Sequence, residues 1–520
     1  MNAAAQIAEA WARLPAYLGG HVAVSVTALL LGLAISLPLA FASRRRPALQ
    51  SALLGVASIV QTIPSLALLA LFYPLLLGIA ALTERALGAG FSALGFLPSV
   101  LALTLYSMLP VLRNTITGLN GIAPAVNEAA LGVGMTRRQS LLMVELPLAL
   151  PVIMAGIRTA AIWVIGAATL STPIGQTSLG NYIFTGLQTQ NWVFVLFGCA
   201  AAAIFALAVD QLLALMEYGL TRRKRAWVAG GGLGIALLAI AALVPGLAQP
   251  RAAYVIGTKP FTEQYVLAAL IGERLHERGL SATVREGLGS AVIFNALRAG
   301  EIDVYVDYSG TIWANQMRRN DVRPRAEVLS EMKEWLRRDG IVPVGELGFE
   351  NAYALAMRPE RAEKLGIRTL GDLARHAGTL SIAGDYEFFG RPEWQSIRQA
   401  YGLNFREQRT MQPEFMYAAV ANGEADVIAG YTSDGRIAQH NLTVLEDPKH
   451  VIPPYDAVLL VAPKRANDQT LLAALAPLVG AIDVTAMREA NLRASGGGAS
   501  VTDAARWLSD QVQSKAKTAR

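Results

Sequence analysis

Long apolar runs punctuated by arginine clusters limit what the first half of this chain can be. Hydrocarbon offers no partner for a backbone N–H or C=O, so about 20 apolar residues are stable there only as a helix that satisfies its own backbone. Such runs cover residues 21–42, 49–82, 92–112, 150–170, 192–216 and 227–247. The second is longer than one crossing needs and contains Pro64 and Pro74, so a tilted or proline-broken helix is expected there, with room for a re-entrant part. The chain has 520 residues, too many for one ordinary domain, and is 53% hydrophobic with only 16% charged residues, as partial membrane embedding requires. Arg44-Arg45-Arg46 and Arg222-Arg223-Lys224-Arg225 together carry seven positive charges, more than the whole net charge of +6. Basic residues stay on the cytoplasmic side, so six crossings place both clusters inside and put the N-terminus and everything beyond Pro250 outside. The positive excess thus serves topology, and no nucleic-acid partner is indicated. Residues 1–18 hold Glu9 and Arg13 and lack a basic start before a short apolar core, so no cleavable signal peptide is expected.

One cytoplasmic stretch, residues 127–147 (NEAALGVGMTRRQSLLMVELP), interrupts the apolar pattern. Glu128-Ala129-Ala130 lies in a run of good helix formers that Gly132 and Gly134 break. Thr136 followed three residues later by Gln139 has the form of a capping box, and a second helix then runs from Arg137 until Pro147 and Pro151 disturb it. Glu128-Ala129-Ala130, Gly134, Val144 and Leu146-Pro147 follow the spacing E-A-A, three residues, G, nine residues, an aliphatic, one residue, L-P. In this the chain resembles the importer-type ABC permeases, whose loop of this pattern holds the ATPase subunit. The resemblance implies an ATPase-coupling role for Glu128, Ala129, Ala130 and Gly134.

After Pro250 charged residues become frequent and short apolar stretches alternate with amphipathic ones. Strands are expected at 253–257, 283–286, 302–308, 352–357, 380–383, 426–431 and 457–461, and a helix over 261–278 with Val266, Leu267, Leu270, Ile271 and Leu275 on one face. This is α/β layering with largely parallel sheets, in a module large enough for two lobes, whose ligands bind near strand C-terminal ends. The expected organisation is multi-domain: an all-α permease domain over 1–226 with five spans and the coupling loop, a sixth span and linker over 227–250, and a two-lobed α/β binding domain over 251–520. The tail from Ser514 is expected to fray.

Four tyrosines fall at or near ends of the expected strands: Tyr308, Tyr353, Tyr431 and Tyr455. Together with GTKPFTEQ (257–264), EGLGSA (286–291), DVYVDYSGT (303–311), AYALAM, EFFGRPE (387–393), GYTSD and PPYDA, they make the module similar to extracytoplasmic binding proteins of ABC importers for glycine betaine, choline and related quaternary ammonium osmoprotectants. That resemblance implies a two-lobed periplasmic-binding-protein-like fold. It also implies an aromatic cage of the four tyrosines, with Lys259, Arg391 and the Thr311 hydroxyl meeting a ligand carboxylate. The physical rationale is general: a trimethylammonium group has no N–H to donate, whereas aromatic faces attract its charge and cover its methyls. Two cations beside the cage favour a zwitterion over bare choline, although nearby acids could adapt the site. Asn351-Ala352 precede Tyr353 where some relatives carry acids, which leaves the preferred ligand open.

Other chemistry finds little footing. The chain has no Gly-Lys dipeptide and hence no phosphate-binding P-loop, so it binds no ATP itself and the ATPase is expected to be a separate cytoplasmic chain. One cysteine, Cys199, excludes an internal disulfide, and five scattered histidines offer no zinc spacing; no metal, cofactor or catalytic residue is expected. His21 is expected at a membrane boundary. Asp210 lies within a span, placed to reach the interface or pair with Arg222. The reading is therefore a non-enzymatic importer subunit of the bacterial inner membrane, in contact with lipid and working as a homodimer. An importer for another small amine or polar amino acid stays open, as does a ligand-gated receptor or channel with a clamshell sensor.

Overall fold

The computed structural model describes residues 3–88, 91–247, 253–319, 321, 323–495 and 498–518. The linker expected over 248–252 lies outside them. The chain divides into two compact units, one of Ile7–Ile183 with Phe194–Pro250, the other of Arg251–Arg520 with Met1–Gln6 and Phe184–Val193.

The first half is helical: α1 (Ala3–Ser43), α2 (Pro47–Thr62), α3 (Ser65–Leu87), α4 (Phe96–Asn120), α5 (Pro124–Gly132), α6 (Arg137–Ser140), α7 (Leu146–Ala168), α8 (Gly180–Gln188), α9 (Trp192–Thr221) and α10 (Arg225–Leu247). Among the described residues, six stretches are long and apolar enough to cross a membrane: Ala4–Ser43, Ser65–Leu87, Phe96–Asn120, Arg137–Ile174, Trp192–Thr221 and Arg225–Val244. The number agrees with the sequence reading, but one boundary does not: the first helix begins near the N-terminus. The second apolar run divides at Pro64 into α2 and α3, the proline-broken helix that was expected. Proline forces the residue before it out of the helical region, and Ile63 accordingly has an extended ψ of 126°. Pro74, by contrast, lies inside an unbroken α3.

Other features of this half are decided only by the structure. The segment 171–191, outside the apolar runs and rich in glycine, threonine and asparagine, takes in most of a 3-10 turn (Thr169–Ile174) and α8. Its polar residues serve local bonds rather than solvent: Asn181 Oδ1 accepts from the Ser178 N–H at 2.8 Å. His21 is buried, its ring 5.9 Å from that of Phe205. Asp210 pairs with Arg158 of α7 rather than with Arg222. Arg158 Nε and Nη2 donate to the two Asp210 carboxylate oxygens at 2.9 and 3.0 Å, and Nη1 donates to Glu217 at 2.9 Å. Asp210 and Glu217 are seven residues apart on α9 and therefore share a helix face, which a single planar guanidinium can bridge.

The described residues of the second half hold ten strands: β1 (Tyr254–Gly257), β2 (Ala282–Arg285), β3 (Val304–Tyr308), β4 (Val342–Glu350), β5 (Tyr353–Met357), β6 (Ser381–Gly384), β7 (Glu407–Thr410), β8 (Val427–Tyr431), β9 (Thr443–Val444) and β10 (Asp456–Val461). They form two five-stranded sheets, ordered β2-β1-β3-β10-β4 and β7-β6-β8-β5-β9. All seven expected strands are present within a few residues, and α11 (Thr262–His276) buries the five apolar residues assigned to its inner face. The largely parallel arrangement is corrected: β1 runs parallel to β2 and β3, and β6 to β7 and β8, but β10 is antiparallel to β3 and β4, and β5 to β8. The reason is topological. The chain passes from the first sheet to the second between β4 and β5 and returns between β9 and β10, and each newly arriving strand, β5 or β10, inserts against the direction of a neighbour. The final helix, Val501–Thr518, continues past Ser514, where fraying was expected.

Asp210 is buried while Arg158 and Glu217 are partly exposed, so removing the arginine leaves two carboxylates uncompensated at a cost of about 1–3 kcal/mol. Arg158→Leu is accordingly expected to lower the unfolding free energy of the solubilised protein by that much, read as a lower denaturant midpoint, and Arg158→Leu with Asp210→Leu and Glu217→Leu to recover most of it. An unchanged midpoint for the single variant would remove this cluster from the list of stabilising interactions.

Candidate functional site

The binding unit gathers aromatic rings at strand ends. Tyr353 opens β5 and Tyr431 closes β8, and antiparallel pairing sets them opposite each other, their rings 4.9 Å apart and tilted by 36°. Tyr455, at the end of the returning connection, stands edge-on to Tyr353 at 5.6 Å and 88°, and Phe388 packs on Tyr353 at 5.0 Å. The Arg391 guanidinium lies over the Tyr353 ring, 5.4 Å from its centroid. Tyr308 closes β3 and has Phe261 as its ring neighbour at 6.1 Å, with the Lys259 ammonium 5.3 Å from its own centroid. It is linked to the other three through the backbone that follows it. Ser309 Oγ donates to the Pro454 carbonyl at 2.8 Å, and the Tyr455 ring lies so close to Gly310 that an added Cβ would come within 2.6 Å of it. Thr311 is buried one residue further on.

Acids that the sequence reading left without a role surround these groups. Lys259, itself buried, forms an ion pair with buried Asp307, which also accepts from the Tyr305 hydroxyl at 2.6 Å. Arg391 donates to Glu387 and lies 3.6 Å from Glu393, which accepts from the Tyr455 hydroxyl. Asp385 accepts from the Tyr431 hydroxyl at 2.9 Å. Glu387 also accepts from Ser290 Oγ at 3.1 Å and so connects the first lobe to the second. Burial pushes the Asp385 carboxyl up. Burial acts the same way on Glu387, but Arg391 and Lys259 outweigh it and hold that carboxyl below its ordinary range. All four tyrosine hydroxyls are pushed up by burial and stay neutral.

The argument from two unpartnered cations therefore needs amending, because both already have acidic partners. Donors remain all the same. Arg391 Nε and Nη1 are buried without a hydrogen bond, and Lys259 offers three protons, one of them to Asp307. The arrangement can thus present ring faces to a cation and N–H donors to an anion. Glu387 and Glu393 lie within a motif already singled out as EFFGRPE; what the sequence withheld was which way each carboxylate faces.

The coupling loop forms a second candidate site. Gly134 has φ +85°, its N–H bonds the Leu131 carbonyl at 3.0 Å and the Met135 N–H bonds the Ala130 carbonyl at 3.1 Å, a Schellman ending for α5 that glycine suits. The Thr136–Gln139 capping box is present in both directions. The second helix does not stop at Pro147. A π turn over Leu141–Glu145 joins α6 to α7, which places Pro147 in the first turn of α7, where its missing N–H costs little. Glu145 is buried and held by Ser140 Oγ at 3.1 Å and Arg44 at 3.4 Å, so the first arginine of the triplet braces this loop. Glu128 and Ala129 are exposed and Ala130 is buried. Leu131, Val133, Leu142 and Met143 are apolar and also exposed.

A helical membrane unit with an exposed elbow between its spans, followed by a two-sheet unit with polar and aromatic groups at its strand ends, defines a membrane transport subunit that carries its own binding domain. Residues 32–226 match the family described as binding-protein-dependent transport system inner membrane component, and residues 252–510 the family described as substrate binding domain of ABC-type glycine betaine transport system. An ergothioneine transport permease/ergothioneine binding protein of Helicobacter pylori (strain G27) is 29% identical over 425 residues, covering 79% of this chain and 74% of that one. A choline transport system permease protein of Bacillus subtilis (strain 168) is 40% identical over 201 residues, covering 39% of this chain and 85% of that one. A glycine-betaine-binding protein of Pseudomonas aeruginosa is 33% identical over 261 residues, covering 48% and 84%. The chain belongs to the ABC importers of the glycine betaine, choline and carnitine type, with permease and substrate-binding domain fused in one polypeptide.

Gly310→Ala would drive a methyl into the Tyr455 ring, and overpacking of this kind costs about 1–3 kcal/mol. The expected result is a lower thermal midpoint for the binding unit within the intact chain. An unchanged midpoint would mean that Tyr455 has room the geometry does not show.

Proposed function

We propose that the chain imports a zwitterionic quaternary ammonium compound, held by its trimethylammonium group against Tyr308, Tyr353, Tyr431 and Tyr455 and by its carboxylate through Lys259, Thr311 and Arg391. The observation that carries this reading is the cluster of Tyr353, Tyr431 and Tyr455 with a cation, Arg391, already lying over one ring. A face that accepts a guanidinium accepts a methylated ammonium for the same reason, the negative quadrupole of the ring, at about 0.5–2 kcal/mol per contact. Choline, glycine betaine and ergothioneine, the ligands in the relatives' names, all carry a trimethylammonium group, and the last two add a carboxylate. The buried, unbonded Nε and Nη1 of Arg391 favour the carboxylate-bearing members.

The transport cycle follows from linkage. Ligand stabilises the closed form of the two lobes, the closed form docks on the outer mouth of the permease, and ATP-driven closure of a separate cytoplasmic ATPase dimer pulls on residues 127–147 to switch access. One permease half does not enclose a pathway, so the working unit is a homodimer in the lipid bilayer of the inner membrane, with two ATPase chains and two extracytoplasmic binding domains. Fusion raises the local concentration of binding domain to roughly millimolar where the linker permits docking. A channel with a clamshell sensor has no use for an ATPase socket, whereas the exposed apolar residues of α5 and the π turn suit one.

Calorimetry of the intact solubilised chain with glycine betaine, carnitine, ergothioneine, choline and proline is expected to give binding by the trimethylammonium carboxylates. Tyr308→Ala and Tyr455→Ala are each expected to weaken it at least tenfold, about 1.4 kcal/mol. Binding of proline alone would transfer the reading to an importer of other small amines or amino acids. Glu128→Ala with Gly134→Val is expected to abolish ATPase co-purification and uptake while ligand binding persists. Retained assembly with full uptake would remove the coupling role.

A further inference from the structure

A buried carboxylate joins four separate segments of the binding unit. Glu263 stands in the first turn of α11, buried, and burial pushes its carboxyl up, with the repulsion of Asp434 acting in the same direction. Hydrogen bonds from Ser433, Tyr308 and Asn491 pull the other way without cancelling that rise. Its Oε1 accepts from the Tyr308 hydroxyl and from Asn351 Nδ2 at 3.2 Å, and its Oε2 accepts from Ser433 Oγ at 2.5 Å and Asn491 Nδ2 at 3.0 Å. Four donors fill the four lone-pair positions of an ionised carboxylate. Such bonds to a charged acceptor are the stronger class, and they fix the carboxylate's orientation while countering part of the desolvation that burial imposes.

The origin of those donors matters more than their number. Tyr308 ends β3 of the first sheet, Asn351 lies in the outward connection between β4 and β5, Ser433 follows β8 of the second sheet, and Asn491 belongs to the helix Val484–Ser495. The same place is stitched by backbone: the Ala352 N–H bonds Thr432 Oγ1 at 3.0 Å, the Thr432 N–H bonds the Ala352 carbonyl at 2.9 Å, and the Asn351 N–H bonds the Tyr455 carbonyl at 2.9 Å. Both connections between the sheets therefore pass within two bonds of Glu263. Of the four donors, Tyr308 alone is a residue of the aromatic site.

We propose that Glu263 is a positioning residue, the fixed point about which the two lobes turn, and that its bond to the Tyr308 hydroxyl transmits the position of the hinge to the ring beside Lys259. The inference rests on the proposed function only for the ligand used to read it. Glu263→Gln puts an amide N–H₂ where two donors need an acceptor, whereas Tyr308→Phe keeps the ring and removes only the tether.

The experiment compares wild type, Glu263→Gln, Tyr308→Phe and the double variant as full chains in detergent, by calorimetry with glycine betaine and by amide hydrogen exchange without ligand. Glu263→Gln is expected to raise Kd at least tenfold and to speed exchange at Ala352 and Thr432 at least tenfold, with the β10 amides unchanged. Tyr308→Phe is expected to raise Kd without changing exchange at the hinge, and the double variant to bind no more than threefold worse than Glu263→Gln. Wild-type exchange in Glu263→Gln overturns the hinge role, and fully additive losses overturn the route through Tyr308. Should wild type fail to bind glycine betaine, the ligand assignment falls and the exchange comparison still decides the role of Glu263. Should Glu263→Gln not fold, Ser433→Ala and Asn491→Ala, each expected to speed Thr432 exchange about threefold, carry the same test, and wild-type rates in both overturn the proposal.

Discussion

A charge taken out of water must find its compensation inside the protein, and this chain meets that demand wherever a part has to be braced. Arg158 bridges Asp210 and Glu217 between two membrane helices. Arg44 holds Glu145 beneath the coupling loop. Lys259 pairs with Asp307, Arg391 lies among Glu387, Glu393 and Tyr353, and Glu263 takes four neutral donors. Replacing such groups by apolar ones of equal volume often costs nothing in stability. Their use here is directional: a bidentate guanidinium or a four-coordinate carboxylate admits one arrangement of its neighbours, where apolar packing tolerates several.

Direction is what the proposed site for a methylated ammonium needs, because such a ligand offers no hydrogen to be aimed at. Ring faces have to be held by their own hydroxyls and edges. Each tyrosine here is so held: Tyr431 by Asp385, Tyr455 by Glu393, Tyr308 by Glu263 and Gln264, and Tyr353 by the rings around it. Carboxylates in this region therefore act twice, fixing the aromatic rings and balancing the two cations.

Much of this was legible beforehand. Six apolar runs, the coupling loop with its glycine and capping box, seven strands and the four tyrosines were all readable, because each depends on local pattern or on the period of a single element. The strands that escaped, β4, β7 and β9, lack that signal. Glu407–Thr410 is polar throughout and mostly exposed at a sheet edge, β9 has two residues, and β4 is interrupted by Gly345 and Gly348. Helix α8 hid in a segment of glycine, threonine and asparagine whose side chains cap their own backbone.

Sequence alone determined the division of the chain, the number of its apolar spans and the residue types gathered near the strand ends, since bilayer thickness and strand period act on neighbouring residues. Partner choice was decided only in three dimensions. Nothing local tells Asp210 to meet Arg158 fifty-two residues away rather than Arg222, or Glu263 to meet Asn491 across more than two hundred residues. Such pairs are selected by which donors are left uncompensated when the sheets and helices close, and that remainder exists only once the whole unit has packed.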